Sequence, residues 1–328
     1  MKTYSLNALK APTPGAVINV HADTVETQVI DLCHSLGIWQ EHIHEYNTMS
    51  AYLFPYADRE ALMLIGLYNN LLYFVDDQFD RHKTDECKDA ALLQALFRQA
   101  AQMMLYGEGH TNNPILATVY ELRHGLIQIA PSAAWLERFV KDTIEHLQSS
   151  LEDVQPSVND SVDSWFDHYN ELRDLDSGMA PTINLIELAL GCEIPLHIRD
   201  MSIVQEARHY VTRYCSLSND LFSYDKEVVA YQSEFNAVAM LQRDGYSFDE
   251  AVNFLIDELN TILDGFKTLY QNVGSIPSFN DLDDVEKNSL CLYLDALWHQ
   301  IVAAYHWQFS TNRYRSDNSA FDELRNRL

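Results

Sequence analysis

Hydrophobic residues recur along the chain at the three- and four-residue spacing of an α-helix, not at the two-residue spacing of a strand. One such stripe consists of Leu62, Ile65 and Leu72. It follows Asp58, which is predicted to cap the helix. Asn113, which stands directly before a proline, is a second predicted cap. Since no segment alternates over several strands, the pattern predicts an all-α fold.

Two segments indicate where the helices run and where they stop. Residues 196–244 contain neither glycine nor proline, which leaves room for one very long helix or two nearly continuous ones. Residues 178–181 have the sequence Gly-Met-Ala-Pro and interrupt a helical run that contains Trp165, Tyr169 and Arg173. A helix break is therefore predicted shortly after Arg173.

The composition agrees with a helical globular protein. Hydrophobic residues make up 47% and charged residues 21%, and only 11 Gly and 9 Pro occur among 328 residues. We find no internal repeat, low-complexity segment or Gly/Ser linker that would divide the chain. One domain over residues 1–328 is expected, with 1–20 and 315–328 as flexible ends.

The chain is strongly acidic, with a formal net charge of −26 at pH 7. Such a surface repels nucleic acid and anionic lipid, so neither is an expected partner. The longest apolar stretch, residues 61–75, is interrupted by two asparagines and is too short to span a bilayer. The five cysteines are far apart, which is typical of reduced thiols, and the N-terminus lacks the apolar core of a signal peptide. A cytoplasmic protein without membrane insertion is expected.

The first pattern that points to chemistry is the run DDQFD, residues 76–80. Asp76 continues the apolar stripe of its helix, where a carboxylate is unfavourable unless it is paired or binds metal. Asp80 lies one turn further on, and oxygen ligands at this spacing suit magnesium. In so acidic a chain the run by itself is equally compatible with a solvated helix end.

A second pattern is more specific, because four of its positions match at once. In the run NDLFSYDKE, residues 219–227, the positions i, i+4 and i+8 are Asn219, Ser223 and Glu227. This spacing puts an amide, a hydroxyl and a carboxylate on one helix face, where they offer three oxygen ligands to a hard cation. Lys226 adds a positive charge that can contact a phosphate.

The two runs, separated by about 140 residues, together resemble the paired metal motifs of microbial-type class I terpene synthases. The second motif of that family is ND(L/I/V)x(S/T)xxxE, and this chain satisfies every position. Arg173 lies 46 residues before Asn219, as the family's diphosphate-sensing arginine does. Asp176 and Ser177 follow it as the linker and the small effector residue would. The family's C-terminal WxxxxxRY appears at residues 307–314.

The resemblance spans about residues 54–314 and implies a class I terpenoid synthase fold, an α-helical barrel or bundle around a central apolar cavity. It also implies three Mg²⁺ ions, two of them bound by Asp76 and the third by the Asn/Ser/Glu motif, with Asp80 in a supporting role. The expected metal ligands are Asp76, Asp80, Asn219, Ser223 and Glu227. The expected diphosphate-binding residues are Arg173, Lys226, Arg313 and Tyr314.

The reaction that the resemblance implies is that of a carbon–oxygen lyase acting on phosphates. Diphosphate binding at Arg173 would be passed through Asp176 to Ser177, and a linear prenyl diphosphate would be ionised and cyclised. Farnesyl diphosphate (C15) is the favoured substrate and geranylgeranyl diphosphate (C20) the second. Aromatic faces can stabilise the carbocation. The candidates are Phe54, Tyr73 and Trp307, for each of which ordinary core packing is the alternative.

Two other functions are weighed against this one. A prenyl-chain elongating synthase shares the fold and the magnesium chemistry, but it would need a second aspartate-rich motif where this chain has Asn/Ser/Glu. A non-catalytic acidic helical binding protein would not need the intact set of ligands and arginines. The sequence leaves the product and the oligomeric state, including a homodimer, open.

Overall fold

The computed structural model describes residues 3–80, 90–107, 112–149 and 162–326. Its α-helices within these ranges are, in chain order, α1 (Ala22–Leu36), α2 (Ile43–Leu53), α3 (Arg59–Asp80), α4 (Ala90–Tyr106), α5 (Pro114–Ile129), α6 (Ala133–Ser149), α7 (Val162–Asp176), α8 (Met179–Leu190), α9 (Leu196–Arg199), α10 (Ser202–Tyr224), α11 (Ala237–Arg243), α12 (Phe248–Asn272), α13 (Pro277–Asn280) and α14 (Asp284–Ser310). A π-helical segment, Asp225–Ala230, continues α10. The described residues form isolated β-bridges but no longer strand. The all-α prediction is confirmed.

The helix ends predicted from the sequence are present. The carboxylate of Asp58 accepts a hydrogen bond from the backbone N–H of Ala61 at 2.8 Å, in the first turn of α3. Asn113 caps α5 in the same way, through the N–H of Leu116. The predicted break lies between α7 and α8, where Gly178 has a φ of 69° that a residue with a Cβ rarely adopts. The proline of this break falls in the first turn of α8, where its missing N–H has no helical partner to lose.

The chain divides into two compact units. The unit that contains α3, here the α3 unit, comprises Val17–Asp153 and Ala180–Glu193. The unit that contains α10, here the α10 unit, comprises Met1–Ala16, Val154–Met179 and Ile194–Leu328. The single domain expected over residues 1–328 is not tested by this division and stays a prediction.

The core of the α3 unit surrounds its longest helix. In the unit α3 packs against α1, α2 and α5. Residues 61–71 of α3 are buried apart from Met63, so the middle of this helix is covered on nearly all sides. Among residues 72–76, only Val75 is buried, and Asp76 is exposed. The core therefore covers residues 72–76 less completely than residues 61–71.

The core of the α10 unit is built on α10, which packs against both α12 and α14. Val211, Tyr214, Leu217 and Leu221 are completely buried on α10. Full burial of a side chain the size of leucine contributes about 1.5–3 kcal/mol, so this stripe fixes the helix firmly. The polar residues that follow on α10 are consequently held in place by the core beneath them.

Both described chain ends are packed within the α10 unit. The backbone N–H of Tyr4 donates to the carbonyl of Ala320 at 2.8 Å, and Leu6 and Phe321 are buried. The side chain of Asp225, at the start of the π-helical segment, accepts hydrogen bonds from the Ser319 hydroxyl at 2.5 Å and from the N–H of Ala320. Flexible ends were expected over residues 1–20 and 315–328, but among the described residues Leu6 and Phe321 are packed into the core. Among the described helices, none combines the length and the apolar character needed to cross a bilayer.

Candidate active site

The Asn/Ser/Glu face predicted from the sequence begins on α10 and ends on the π-helical segment. Asn219 and Ser223 lie in the last two turns of α10, and Glu227 lies in the π-helical turn that follows. The side chain of Ser223 is completely buried. Its hydroxyl oxygen has no hydrogen bond of normal geometry within the described part of the chain. A buried hydroxyl without a partner is costly, so this position is suited to a ligand that the protein alone does not supply.

Arg173, the predicted diphosphate sensor, is buried at the end of α7 and directed at the same face. Its Nε donates to Oδ1 of Asp220 at 2.8 Å, and its Nη2 donates to Oδ1 of Asn219 at 2.9 Å. Its Nη1 lies 3.4 Å from Oδ2 of Asp176, the predicted linker. Burial lowers the pKa of Arg173, but the negative charge of Asp220 more than compensates and raises it well above the usual range. The arginine is therefore charged and held by three acceptors.

Asp220 is the residue of this network that the sequence analysis did not assign. Its carboxylate is completely buried and accepts hydrogen bonds from the Tyr169 hydroxyl, from Arg173 and from the backbone N–H of Ala237. Burial raises the pKa of Asp220, and the charge of Arg173 opposes that rise. The sequence held a signal for it, because Asp220 falls between Leu217 and Leu221 on the apolar stripe of α10.

The C-terminal Arg-Tyr pair reaches this face through its tyrosine. Tyr314 is buried, and its hydroxyl accepts a hydrogen bond from Nδ2 of Asn219 at 2.8 Å. Its ring packs edge-on against Trp307, with the ring centres 5.6 Å apart. The backbone N–H of Arg313 donates to the Thr311 hydroxyl at 3.2 Å, which fixes the turn in which the pair lies. Trp307 therefore packs in the core against Tyr314, which was the alternative to contact with the carbocation.

Glu227 has an unusual proton affinity for a glutamate. Burial raises its pKa to about 7, with a further contribution from Asp220, whereas Arg173 and Lys226 and a contribution from the Ser223 hydroxyl lower it. One carboxylate oxygen accepts a hydrogen bond from Nδ2 of Asn236 at 3.2 Å. A cation beside it would favour the charged form.

The remaining residues predicted in the α10 unit lie as follows. Ser177 occupies the turn between α7 and α8, where its hydroxyl donates to the carbonyl of Asp174 at 2.9 Å and accepts from the N–H of Met179 at 3.2 Å. Lys226 is half-buried and its Nζ lies 5.6 Å from the ring centre of Tyr231. The two hydrogen bonds hold the Ser177 side chain at the break. Their predicted roles are untested and stay predictions.

The DDQFD run differs from its predicted setting. Asp76 was expected on a buried apolar stripe, but it is exposed, because the core covers the side of α3 that carries Leu71 and Val75 more fully than the side that carries Asp76. The argument from burial for a metal role of Asp76 is therefore wrong, whereas the role itself is untested. The helix α3 ends at Asp80, whose side chain lies outside the described residues. Carboxylates are among the oxygen ligands that Mg²⁺ accepts.

The two aromatic residues proposed for the α3 unit have core partners. Tyr73 stacks on Tyr46, with the ring centres 3.9 Å apart, and its hydroxyl lies 3.4 Å from the sulfur of Met49. Phe54 directly follows α2, is completely buried and packs edge-on against Tyr56. Contact with a carbocation stays a prediction for both.

The side chains of Asn219, Ser223 and Glu227 are oxygen donors of the kind that suits a hard cation. The described residues contain no cluster of three His, Cys, Asp or Glu side chains that would hold a metal on their own. The face instead combines an amide oxygen, one carboxylate and a buried hydroxyl that has no hydrogen bond of normal geometry among the described residues. Oxygen donors of these three kinds are those that Mg²⁺ accepts, with water or phosphate oxygens in the other positions.

The fold and this face together define a class of protein, the class I terpenoid synthases. Germacradien-4-ol synthase from Streptomyces citricolor has a similar fold, with a TM-score of 0.79 at 17% identity over 93% of this chain and 99% of that one. Residues 67–264 match the family model described as terpene synthase family 2, C-terminal metal binding. The chain belongs to this family.

Curated relatives agree over nearly the full length. Terpene synthase 4 of Physarum polycephalum is 23% identical over an alignment of 331 residues, which covers 94% of this chain and 92% of the relative. The (+)-T-muurolol synthase of Roseiflexus castenholzii, whose name specifies (2E,6E)-farnesyl diphosphate cyclisation, is 25% identical over 92% of each chain. The family resemblance stated from the two motifs is thereby confirmed.

Proposed function

We propose that the protein is a magnesium-dependent terpene cyclase that ionises a linear prenyl diphosphate and cyclises the carbocation to a terpene hydrocarbon or alcohol. In reaction class it is a carbon–oxygen lyase acting on phosphates. The observation that carries the proposal is the face formed by Asn219, Ser223 and Glu227, to which Arg173 is hydrogen-bonded. A relative named for farnesyl diphosphate cyclisation supports C15 as the favoured substrate, with C20 second.

Charge explains why a metal is required. Arg173 is paired with Asp220 and lies close to Asp176, so its positive charge alone does not balance the charge of a diphosphate. The chain as a whole carries a net charge of −26. An anionic substrate can bind only where cations reverse the local field. Three magnesium ions are proposed, with Asp76 as the ligand of two, Asp80 in a supporting role, and the Asn/Ser/Glu face as the ligand set of the third.

When bound, magnesium neutralises the negative charge that develops on the leaving diphosphate. The side chains have separate tasks. Arg173, whose guanidinium is kept charged by Asp220, donates hydrogen bonds to the diphosphate oxygens. Asp176 contacts Nη1 of Arg173 and would pass diphosphate binding on to Ser177, which lies at the adjoining break. Lys226, Arg313 and Tyr314 complete the set of diphosphate donors. Aromatic side chains around the carbocation exclude water, which would otherwise quench it to an alcohol.

The decisive experiment is incubation of the purified protein with C10, C15, C20 and C25 prenyl diphosphates, with Mg²⁺ and with a chelator. Products are identified by mass spectrometry, and the released diphosphate is quantified. We expect cyclic C15 products that depend on Mg²⁺. A clear preference in kcat/KM for C20 without cyclic C15 product would overturn the substrate assignment alone. Longer prenyl diphosphates formed on addition of isopentenyl diphosphate would indicate an elongating synthase, and no diphosphate release from any substrate would indicate a binding protein.

The proposal also covers the setting in which the protein acts. We propose a single catalytic domain in the cytoplasm, with a small-molecule substrate and with neither nucleic acid nor membrane as a partner. The acidic net charge supports both exclusions. Light scattering coupled to size-exclusion chromatography decides between a monomer and a homodimer.

A further inference from the structure

Asn236 connects three backbone elements around the Asn/Ser/Glu face. It precedes α11 and is completely buried. Its Oδ1 accepts a hydrogen bond from the N–H of Val238 at 3.0 Å. Its Nδ2 donates to the backbone carbonyl of Asp220 at 2.8 Å and to Oε2 of Glu227 at 3.2 Å. One side chain thus joins the end of α10, the π-helical segment and the first turn of α11.

The cap at α11 does not by itself require an asparagine. Serine, threonine and aspartate accept the same hydrogen bond from a helix N-terminus. The chain uses such residues at other helices, for example Ser247 at α12 and Asp283 at α14. What distinguishes Asn236 is the amide NH₂ group, whose two N–H bonds point to Asp220 and Glu227. The amide therefore has a task beyond capping.

The position of Glu227 makes this donor important. Glu227 lies in a π-helical turn, a rare backbone form whose hydrogen bonds are less regular than those of an α-helix. The orientation of a side chain in such a turn depends on contacts from outside it. The charges that face Glu227 are Arg173, Lys226 and Asp220, and Asp220 repels it. Asn236 supplies a neutral donor that holds one carboxylate oxygen without adding charge to the network.

We propose that Asn236 is a positioning residue that holds the Glu227 carboxylate in the orientation in which it serves as a metal ligand. The inference rests on the proposed function, because it presupposes that Glu227 binds the ion. Groups that hydrogen-bond to a ligating carboxylate fix its direction, and their loss lowers metal affinity by about 10- to 100-fold.

The test compares the variants Asn236→Ser and Asn236→Thr with the wild type. Both keep an oxygen that can cap α11, and neither has the amide NH₂ group that donates to the Asp220 carbonyl and to Glu227. Threonine fills more of the volume and serves as the second variant should serine fold poorly. Asn113→Ser is the matched control, because Asn113 caps α5 through the same kind of bond and belongs to the other unit. The melting temperature without metal reports the structural cost of each change.

Metal affinity is measured as binding of Mn²⁺ in the presence of inorganic diphosphate, by calorimetry and by electron paramagnetic resonance. We expect Asn236→Ser and Asn236→Thr to weaken binding about 10- to 100-fold, while Asn113→Ser leaves it unchanged. In turnover assays the half-saturating Mg²⁺ concentration rises, and kcat recovers at high Mg²⁺. Equal affinity of the wild type and both variants would overturn the proposal.

A double-mutant cycle separates positioning from a general structural effect. The loss caused by Asn236→Ser is measured again in the Glu227→Gln background. If Asn236 acts through Glu227, the second loss is much smaller than the first. An equal loss in both backgrounds means that Asn236 only supports the fold, and the proposal is wrong. If Glu227→Gln itself leaves Mn²⁺ affinity unchanged, the assignment of Glu227 as a ligand fails, and the role of Asn236 fails with it.

Discussion

Arg173 and Asn219, which stand 46 residues apart in the sequence, are joined by a hydrogen bond of 2.9 Å between Nη2 and Oδ1. The other amide atom of Asn219, Nδ2, donates to the hydroxyl of Tyr314 at 2.8 Å. Both ends of this amide are thus engaged by residues proposed to bind diphosphate. A cation that takes up Oδ1 of Asn219 necessarily changes the surroundings of Arg173. If Asn219 binds a metal ion and Arg173 binds the diphosphate, as proposed, the two binding events should be coupled through the Asn219 side chain.

Replacement of Arg173 by alanine should affect both catalysis and stability. Turnover should fall at least about 100-fold, because a donor to the leaving group is lost. The free energy of unfolding should fall by about 3–5 kcal/mol, because Asp220 is left as a buried carboxylate without its charged partner. Diphosphate release and urea denaturation measure the two effects.

Arg213 provides the control for that variant. Its guanidinium joins the same two helices, α7 and α10, through hydrogen bonds to Asp174 at 2.9 and 3.2 Å, and it does not touch the Asn/Ser/Glu face. Arg213→Ala should lower stability by a smaller amount, since this pair is only partly buried, and should keep most of the turnover. Full activity of a folded Arg173→Ala protein would show that the sensor assignment is wrong.

Unlike Arg173→Ala, the variant Ser223→Ala should weaken metal binding without lowering the stability of the metal-free protein. The hydroxyl is buried without a hydrogen bond of normal geometry in the described residues, so its removal should leave the metal-free protein as stable or about 1 kcal/mol more stable. Affinity for Mg²⁺ with inorganic diphosphate should fall, because one of three oxygen ligands is lost. Ser218→Ala, on the same helix, removes a hydroxyl that donates to the carbonyl of Cys215, and it should leave metal affinity unchanged. Scanning calorimetry with and without ligand gives both quantities.

Asp76→Ala should abolish ionisation without a change in stability. Asp76 is exposed at the end of α3, and substitutions at exposed positions usually change the free energy of unfolding by less than about 0.5 kcal/mol. Its loss would remove the proposed ligand of two ions. Asp31→Ala, at an exposed position of α1, is the matched control and should keep full activity. Turnover near the wild-type value by the Asp76 variant would exclude the metal role.

The contrast between Asp76 and the Asn/Ser/Glu face shows what the sequence could predict. Helical spacing identified the fold class and the caps at Asp58 and Asn113, because these depend on local chemistry. The burial of Asp76 was predicted wrongly, because spacing shows which residues share a face but not how fully the core covers that face. The positions of Asp220 and Asn236 depend on contacts between separate helices, for which one sequence contains no direct record.

The raised pKa of Glu227 should make the free energy of unfolding depend on pH between about 4.5 and 7. Its pKa is raised to about 7 in the folded protein, against an ordinary value of 4.5. Between these two values the folded state binds a proton that the unfolded state has lost. The free energy of unfolding should therefore fall as pH rises from about 4.5 to 7, with a slope from this group of at most about 1.4 kcal/mol per pH unit.

Glu227→Gln isolates this contribution, because glutamine does not titrate. Denaturant unfolding of the metal-free proteins at several values between pH 4.5 and 7.5 should give a weaker downward trend for the variant than for the wild type. With Mg²⁺ and inorganic diphosphate present, the wild type should gain more stability at pH 7.5 than at pH 5.5, since the cation competes with the proton for the same carboxylate. Parallel pH profiles of the two metal-free proteins would show that Glu227 has an ordinary pKa. Equal gains from the ligands at both pH values would show that its carboxylate is not a ligand.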